Sequence, residues 1–162
     1  MSVEDLPITR DRPPPGLPLL GWTGLRRFPA VPQVVTMELV GLNQTLTQLG
    51  LPIEPLFTLE LVLAEVLNNV VEHAYEDRGE GMIELAIAVR DHAIHCEVLD
   101  HGTPMPNGCL PPKRRYDLDA TGMQDLPEGG FGWGLIRDMT RGLCYAREAG
   151  ANRLRFRVDL DG

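Results

Sequence analysis

Serine is all but missing from this chain. Ser2 is the only one in 162 residues, so a mechanism built on an internal serine nucleophile is set aside. Cysteine is scarce too. Cys96, Cys109 and Cys144 are odd in number and share no zinc or redox spacing, which points to a reduced compartment. No apolar run is long enough to cross a bilayer, and MSVEDLPITRDRPPP has no signal-peptide core, so the expected location is cytoplasmic, with no membrane partner. Basic residues are outnumbered, 15 against 23 acidic, and the net charge of −8 argues against nucleic acid as a partner.

There is enough apolar material for a core. With 43% hydrophobic and 23% charged residues, one globular domain is expected. The run RPPPGLPLLG marks residues 1–22 as a proline-rich, loosely ordered segment and leaves residues 23–162 as the domain. TGLRRFPA predicts a short strand. Val34, Val35, Leu39, Leu42, Leu46 and Leu49 recur at helical spacing over 32–49, with Pro32 suited to the start and Gly50 to the stop. Leu59, Val62, Leu63, Val66, Leu67, Val70 and Ala74 predict a second helix, capped at Thr58 and running out at EDRGEG. MIELAIAV and IHCEVLD alternate as adjacent strands, the second ending at Asp100.

Residues 101–129 are rich in proline, glycine and charge. So long an irregular stretch in a compact domain predicts a lid or a binding loop. GGFGWGLIRDM reads as a glycine-rich turn into a helix. LCYARE and NRLRFRVDL read as the last strands, with Leu154, Phe156, Val158 and Leu160 facing the core. The order predicts an α+β two-layer sandwich, helices packed on one face of a mixed, mostly antiparallel sheet.

Three short motifs carry chemistry. In AEVLNNVVEHAYE, Glu65, Asn69 and His73 follow one another at four-residue intervals along one edge of the apolar stripe. A row of boundary residues that merely solvates the helix would account for any one of them. Three in register, with two poor helix formers in mid-helix, favour a site. A carboxamide oxygen can ligate a hard Mg²⁺ ion while a carboxylate one turn away accepts a proton. In VLDHGTPMP, Asp100 closes a strand with Gly102 next but one. That is an ordinary turn pairing, and equally a fixed carboxylate that can accept the exocyclic amine of adenine, with a glycine leaving room for the ring. GGFGWGL places Gly129, Gly130, Gly132 and Gly134 at the start of a helix, where backbone N–H groups can meet a phosphate. Neither a Walker motif nor a dinucleotide fingerprint fits the context.

E-x-x-x-N on a helix, then D-x-G after a strand, then a lid, then G-x-G-x-G into a helix: together these resemble the nucleotide site of the Bergerat-fold ATPases. Within that group AEVLNNVVEHAY and GGFGWGLI resemble the small bacterial anti-sigma factor serine kinases of partner-switching systems, over roughly residues 25 to 160. The resemblance implies ATP and Mg²⁺ as cofactors. It implies that Asn69 holds the metal, Glu65 is the general base, and Asp100 binds the adenine amine with Gly102 at the ring. Gly130, Gly132 and Gly134 would line the phosphates, with His73 near them. Two positions depart from the pattern. Phe131 stands where many of these kinases carry an arginine, and NRLRFRV lacks the threonine that often approaches the adenine side.

The function so implied is a protein serine/threonine kinase that phosphorylates a small anti-sigma-factor antagonist. A sigma factor or other regulator would be its target, and a homodimer its assembly. The alternative is a nucleotide-gated module that grips such partners without useful catalysis, to which Phe131 lends weight. A histidine-kinase catalytic domain is disfavoured, since none of the four histidines has the expected phosphoacceptor setting. A metal site at His92, His95 and Cys96 is disfavoured because strand alternation sends His95 and Cys96 to opposite faces.

Overall fold

The computed structural model describes residues 21–113 and 131–161, so residues 1–20 of the segment 1–22 expected to be loosely ordered, and most of the expected lid, lie outside the described residues. Strand β1 (Trp22–Pro29) leads into helix α1 (Pro32–Gln48), which starts on the proline as expected and ends before Gly50 at φ +83°. Helix α2 covers Ile53–Asn69 and therefore begins five residues before the expected cap at Thr58. Pro52 sits at the N-cap, Glu54 complements the dipole of the first turn, and Pro55 stands where the N–H has no helical partner anyway. The apolar periodicity concealed this turn because Ile53 and Phe57 point to solvent, 81% and 62% exposed.

Strands β2 (Met82–Arg90) and β3 (Ala93–Asp100) form a hairpin whose turn residues Asp91 and His92 both have positive φ, 52° and 54°. That pair matches the twist of the flanking strands. Helix α3 (Phe131–Met139) returns the chain to β4 (Arg141–Glu148) and β5 (Ala151–Asp159). The strand order is β1-β2-β3-β5-β4, and among the described residues every pairing is antiparallel, in line with the mostly antiparallel sheet expected.

Alternation then fixes the layers. Ile83, Leu85, Ile87 and Val89 of β2 share a buried face with Ile94, Cys96 and Val98 of β3 and Leu154, Phe156 and Val158 of β5. Leu63 and Leu67 of α2, Leu46 of α1 and Ile136 of α3 complete this core. The opposite face carries His95, Glu97, Arg153, Arg155 and Arg157, with Glu97 bridging Arg153 and Arg155. Among the described residues no helix is long and apolar enough to cross a membrane.

Past Asn69 the helix changes gauge. Residues Val70–Ala74 form a π-helical turn, in which the Tyr75 N–H donates to the Val70 carbonyl five residues back at 3.0 Å. His73 lies within this turn, and its side chain is 75% exposed.

Leu63 is wholly buried whereas Phe57 is not. Leu63→Ala is expected to lower unfolding free energy by about 2–5 kcal/mol. Phe57→Ala is expected to change it by less than about 0.5 kcal/mol. Urea denaturation of the two variants checks both.

Candidate active site

A cavity of about 940 Å³ opens beside the C-terminal end of α2 and the ends of β3 and β5, with α3 along it. That is the upper part of the range that small-molecule sites occupy. Asn69, His73, Asp100 and Gly134 all line it, as do Trp133 and Asn152. Asn69 of α2, Asp100 of β3, Gly134 of α3 and Asn152 of β5 thus face one space.

Asp100 is the most constrained group there. It ends β3 at 4% exposure and pairs in register with Asn152 of β5. The Asn152 amide donates to Asp100 Oδ1 at 2.8 Å and the Gly102 N–H donates to the same oxygen at 2.9 Å. Burial pushes the Asp100 carboxyl above its ordinary value, partly offset by these two donors and by Arg147 and His101. Asn152 in turn accepts from the Tyr145 hydroxyl at 2.7 Å and from Arg147 Nη1 at 2.9 Å.

Asn69 is half-buried at the last α-helical residue of α2, and its amide Nδ2 is buried without a hydrogen-bond partner. A half-turn about the terminal side-chain torsion exchanges the amide nitrogen and oxygen. The unpartnered end can therefore present an oxygen. Such a lone oxygen, in a cavity with room for phosphates and water, suits Mg²⁺, which takes few protein ligands.

Glu65 lies one turn earlier and is not among the cavity-lining residues. Instead it abuts the start of α3, where a Cβ on Gly132 would come within 2.5 Å of Glu65 Oε2. A side chain at Gly132 would drive the carboxylate away. Gly102 makes a different close approach, since a Cβ there would overlap the Ala74 carbonyl at the end of the π turn. The Thr103 N–H donates to that same carbonyl at 2.8 Å. Gly102 thus locks the loop after β3 to the end of the helix, and it is absent from the cavity lining. Gly130 lies outside the described residues.

Two contributors were not anticipated from the sequence, Asn152 and Tyr145. The signal for Asn152 was present: it has the same parity in β5 as Leu154, Phe156 and Val158, so a polar residue occupies a core-facing position. Tyr145, opposite Leu154, carries no such signal.

Residues 28–158 match the family described as a histidine kinase-like ATPase domain. The chain belongs to that family. Its similarity extends to the anti-sigma factor serine kinases. It is 32% identical over 99 residues to the serine/threonine-protein kinase BtrW of Bordetella bronchiseptica, covering 60% of this chain and 66% of that protein. It is 26% identical over 110 residues to the serine-protein kinase RsbW of Oceanobacillus iheyensis, covering 68% and 70%. Against the anti-sigma F factor of Bacillus licheniformis it is 26% identical over 81 residues, covering 50% and 56%. The chain thus spans between 56% and 70% of the length of these relatives. For a histidine kinase-like ATPase domain the nucleotide in use is ATP, and the cavity has the size for it.

Asp100→Asn keeps an acceptor for both donors and removes the buried charge. The folded Asp100 holds its proton more tightly than the unfolded chain does. Its contribution to stability is therefore complete below 3.8 and is lost as pH rises through the raised folded value. The variant should lack that decline and melt no lower than wild type at neutral pH. Thermal unfolding of the two proteins from pH 3 to pH 7 checks this.

Proposed function

We propose that this chain is an ATP-dependent protein serine/threonine kinase whose substrate is a serine of a small anti-sigma-factor antagonist protein. The observation that carries the reading is the convergence of Asn69, Asp100 and the start of α3 on one nucleotide-sized cavity. The similarity to proteins named serine-protein kinase and anti-sigma F factor supports a protein serine as the acceptor.

Asp100 would take the adenine amine, with Gly102 keeping the neighbouring loop close. Asn69 would hold Mg²⁺, and bound Mg²⁺ would supply charge neutralisation between the phosphates. Gly130, Gly132 and Gly134 would leave backbone N–H groups open to the phosphates at the head of α3, with His73 at the cavity's exposed rim. The antagonist's serine oxygen bonds to the γ-phosphorus as the bond to the β-phosphate oxygen breaks, and ADP departs. The hydroxyl proton passes to Glu65, the general base. A chain whose only serine is Ser2 suits a phosphoacceptor on a second protein. A sigma factor or related regulator is the target that the antagonist would release, and a homodimer is the proposed assembly.

A second reading is a nucleotide-gated binding module without significant transfer. One observation favours it: Glu65 is held against Gly132 and does not line the cavity. Glu65→Gln separates the two. For the kinase it should reduce label transfer from ATP to the antagonist by about a hundredfold to ten-thousandfold. Calorimetry should show ATP affinity within about threefold of wild type, since no nucleotide-binding hydrogen bond is removed. Wild-type protein that binds ATP and antagonist but transfers no label establishes the binding module instead.

A further inference from the structure

Asn152 makes more described hydrogen bonds than any other side chain near the cavity. Its amide nitrogen donates to Asp100 Oδ1 at 2.8 Å and to the Thr103 carbonyl at 3.0 Å, with the Gly102 carbonyl at 3.4 Å. Its amide oxygen accepts from Tyr145 and Arg147. Turning the amide over would set its oxygen against three acceptors and its nitrogen against the Arg147 guanidinium, so one orientation is fixed by its surroundings. Tyr145 adds a further tie, its oxygen accepting from the Met105 N–H at 3.0 Å. Arg147 adds another, donating to the Gly102 carbonyl at 2.7 Å.

The consequence falls on Asp100. Both protein donors go to Oδ1, and among the described residues none reaches Oδ2. The carboxylate is therefore held in one rotation, with a single acceptor oxygen left to a cavity that Asp100 lines. A lone, fixed, anionic acceptor rewards a base that presents an N–H₂ donor and repels one that presents a carbonyl oxygen at the same place.

We infer that Asn152 is the positioning residue that gives this site its choice of base, by occupying one oxygen of Asp100 and aiming the other at the amine of adenine. The inference rests on the ATP-binding reading above and adds a residue to it. Asn152 acts through Asp100 rather than through the reacting phosphate, so its removal changes which purine binds.

Asn152→Leu conserves shape and removes both the donor and the acceptor. Titrations of the full chain would use ATP and inosine triphosphate, which carries a carbonyl in place of the amine. Wild type should prefer ATP. In the variant ATP affinity should fall about tenfold to thirtyfold while inosine triphosphate changes by less than about threefold, so the preference collapses. The pH at which ATP binding is half lost should also move upward, because the variant loses a donor that favours ionised Asp100. The other titratable groups facing Asp100 are Arg147, His101 and Tyr75, and the variant keeps all three.

Tyr145→Phe is the second test, since it frees the Asn152 amide without unpairing Asp100. It should lower the same preference by a smaller factor and in the same direction. Equal wild-type affinity for the two nucleotides, or a proportional loss of both in the variants, overturns the inference and leaves ATP binding standing. Wild type that binds neither nucleotide overturns the functional reading and the inference with it.

Discussion

A carboxylate taken out of water at the end of β3 is the constraint around which the active end of the molecule is organised. Leaving Asp100 charged and bare would cost several kcal/mol, and leaving it neutral would forfeit its use as an anion. The fold resolves this with register. Antiparallel pairing sets Asn152 directly opposite Asp100, and Arg147 directly opposite Asn152. Three adjacent strands thus contribute one residue each to a single polar row at the edge of an apolar core. A slip of one residue in β5 would turn Asn152 out of the sheet and bring Ala151 or Arg153 against the carboxylate.

The second organising feature is the change of helical gauge after Asn69. An ideal helix would keep Glu65, Asn69 and His73 in one row. In the structure Asn69 stands at the cavity wall, Glu65 abuts α3 at Gly132, and His73 is at the exposed rim. The π turn brings the Ala74 carbonyl to where Gly102 and Thr103 need it. The helix end and the loop after β3 meet backbone to backbone at Ala74, which is why a glycine stands at 102. The Tyr75 hydroxyl adds a side-chain tie to the His101 N–H.

Much of this was readable from residue order. Alternation in MIELAIAV and IHCEVLD determined which faces were buried, and each strand appears close to where that pattern placed it. Asn69, Asp100 and the glycine turn were identifiable because a polar or side-chain-free residue in an apolar element conflicts with its surroundings. Three things escaped. The first turn of α2 hid behind exposed Ile53 and Phe57, which gave it no amphipathic pattern. The π turn leaves no periodic trace in five residues. Asn152 matters only through its partner 52 positions away, and pairing across that distance cannot be read from local spacing.

The order of the strands has a further implication for how such a site comes into being. β3 pairs with β5 across 52 residues of sequence, from Asp100 to Asn152, so this pairing closes a long span of the chain. Such closures come late and slowly during folding. Without β5, Asp100 would sit at an unpaired sheet edge and lack its amide partner Asn152. A ligand that occupies the cavity touches residues of both β3 and β5, and by binding only the folded state it stabilises the seam between them.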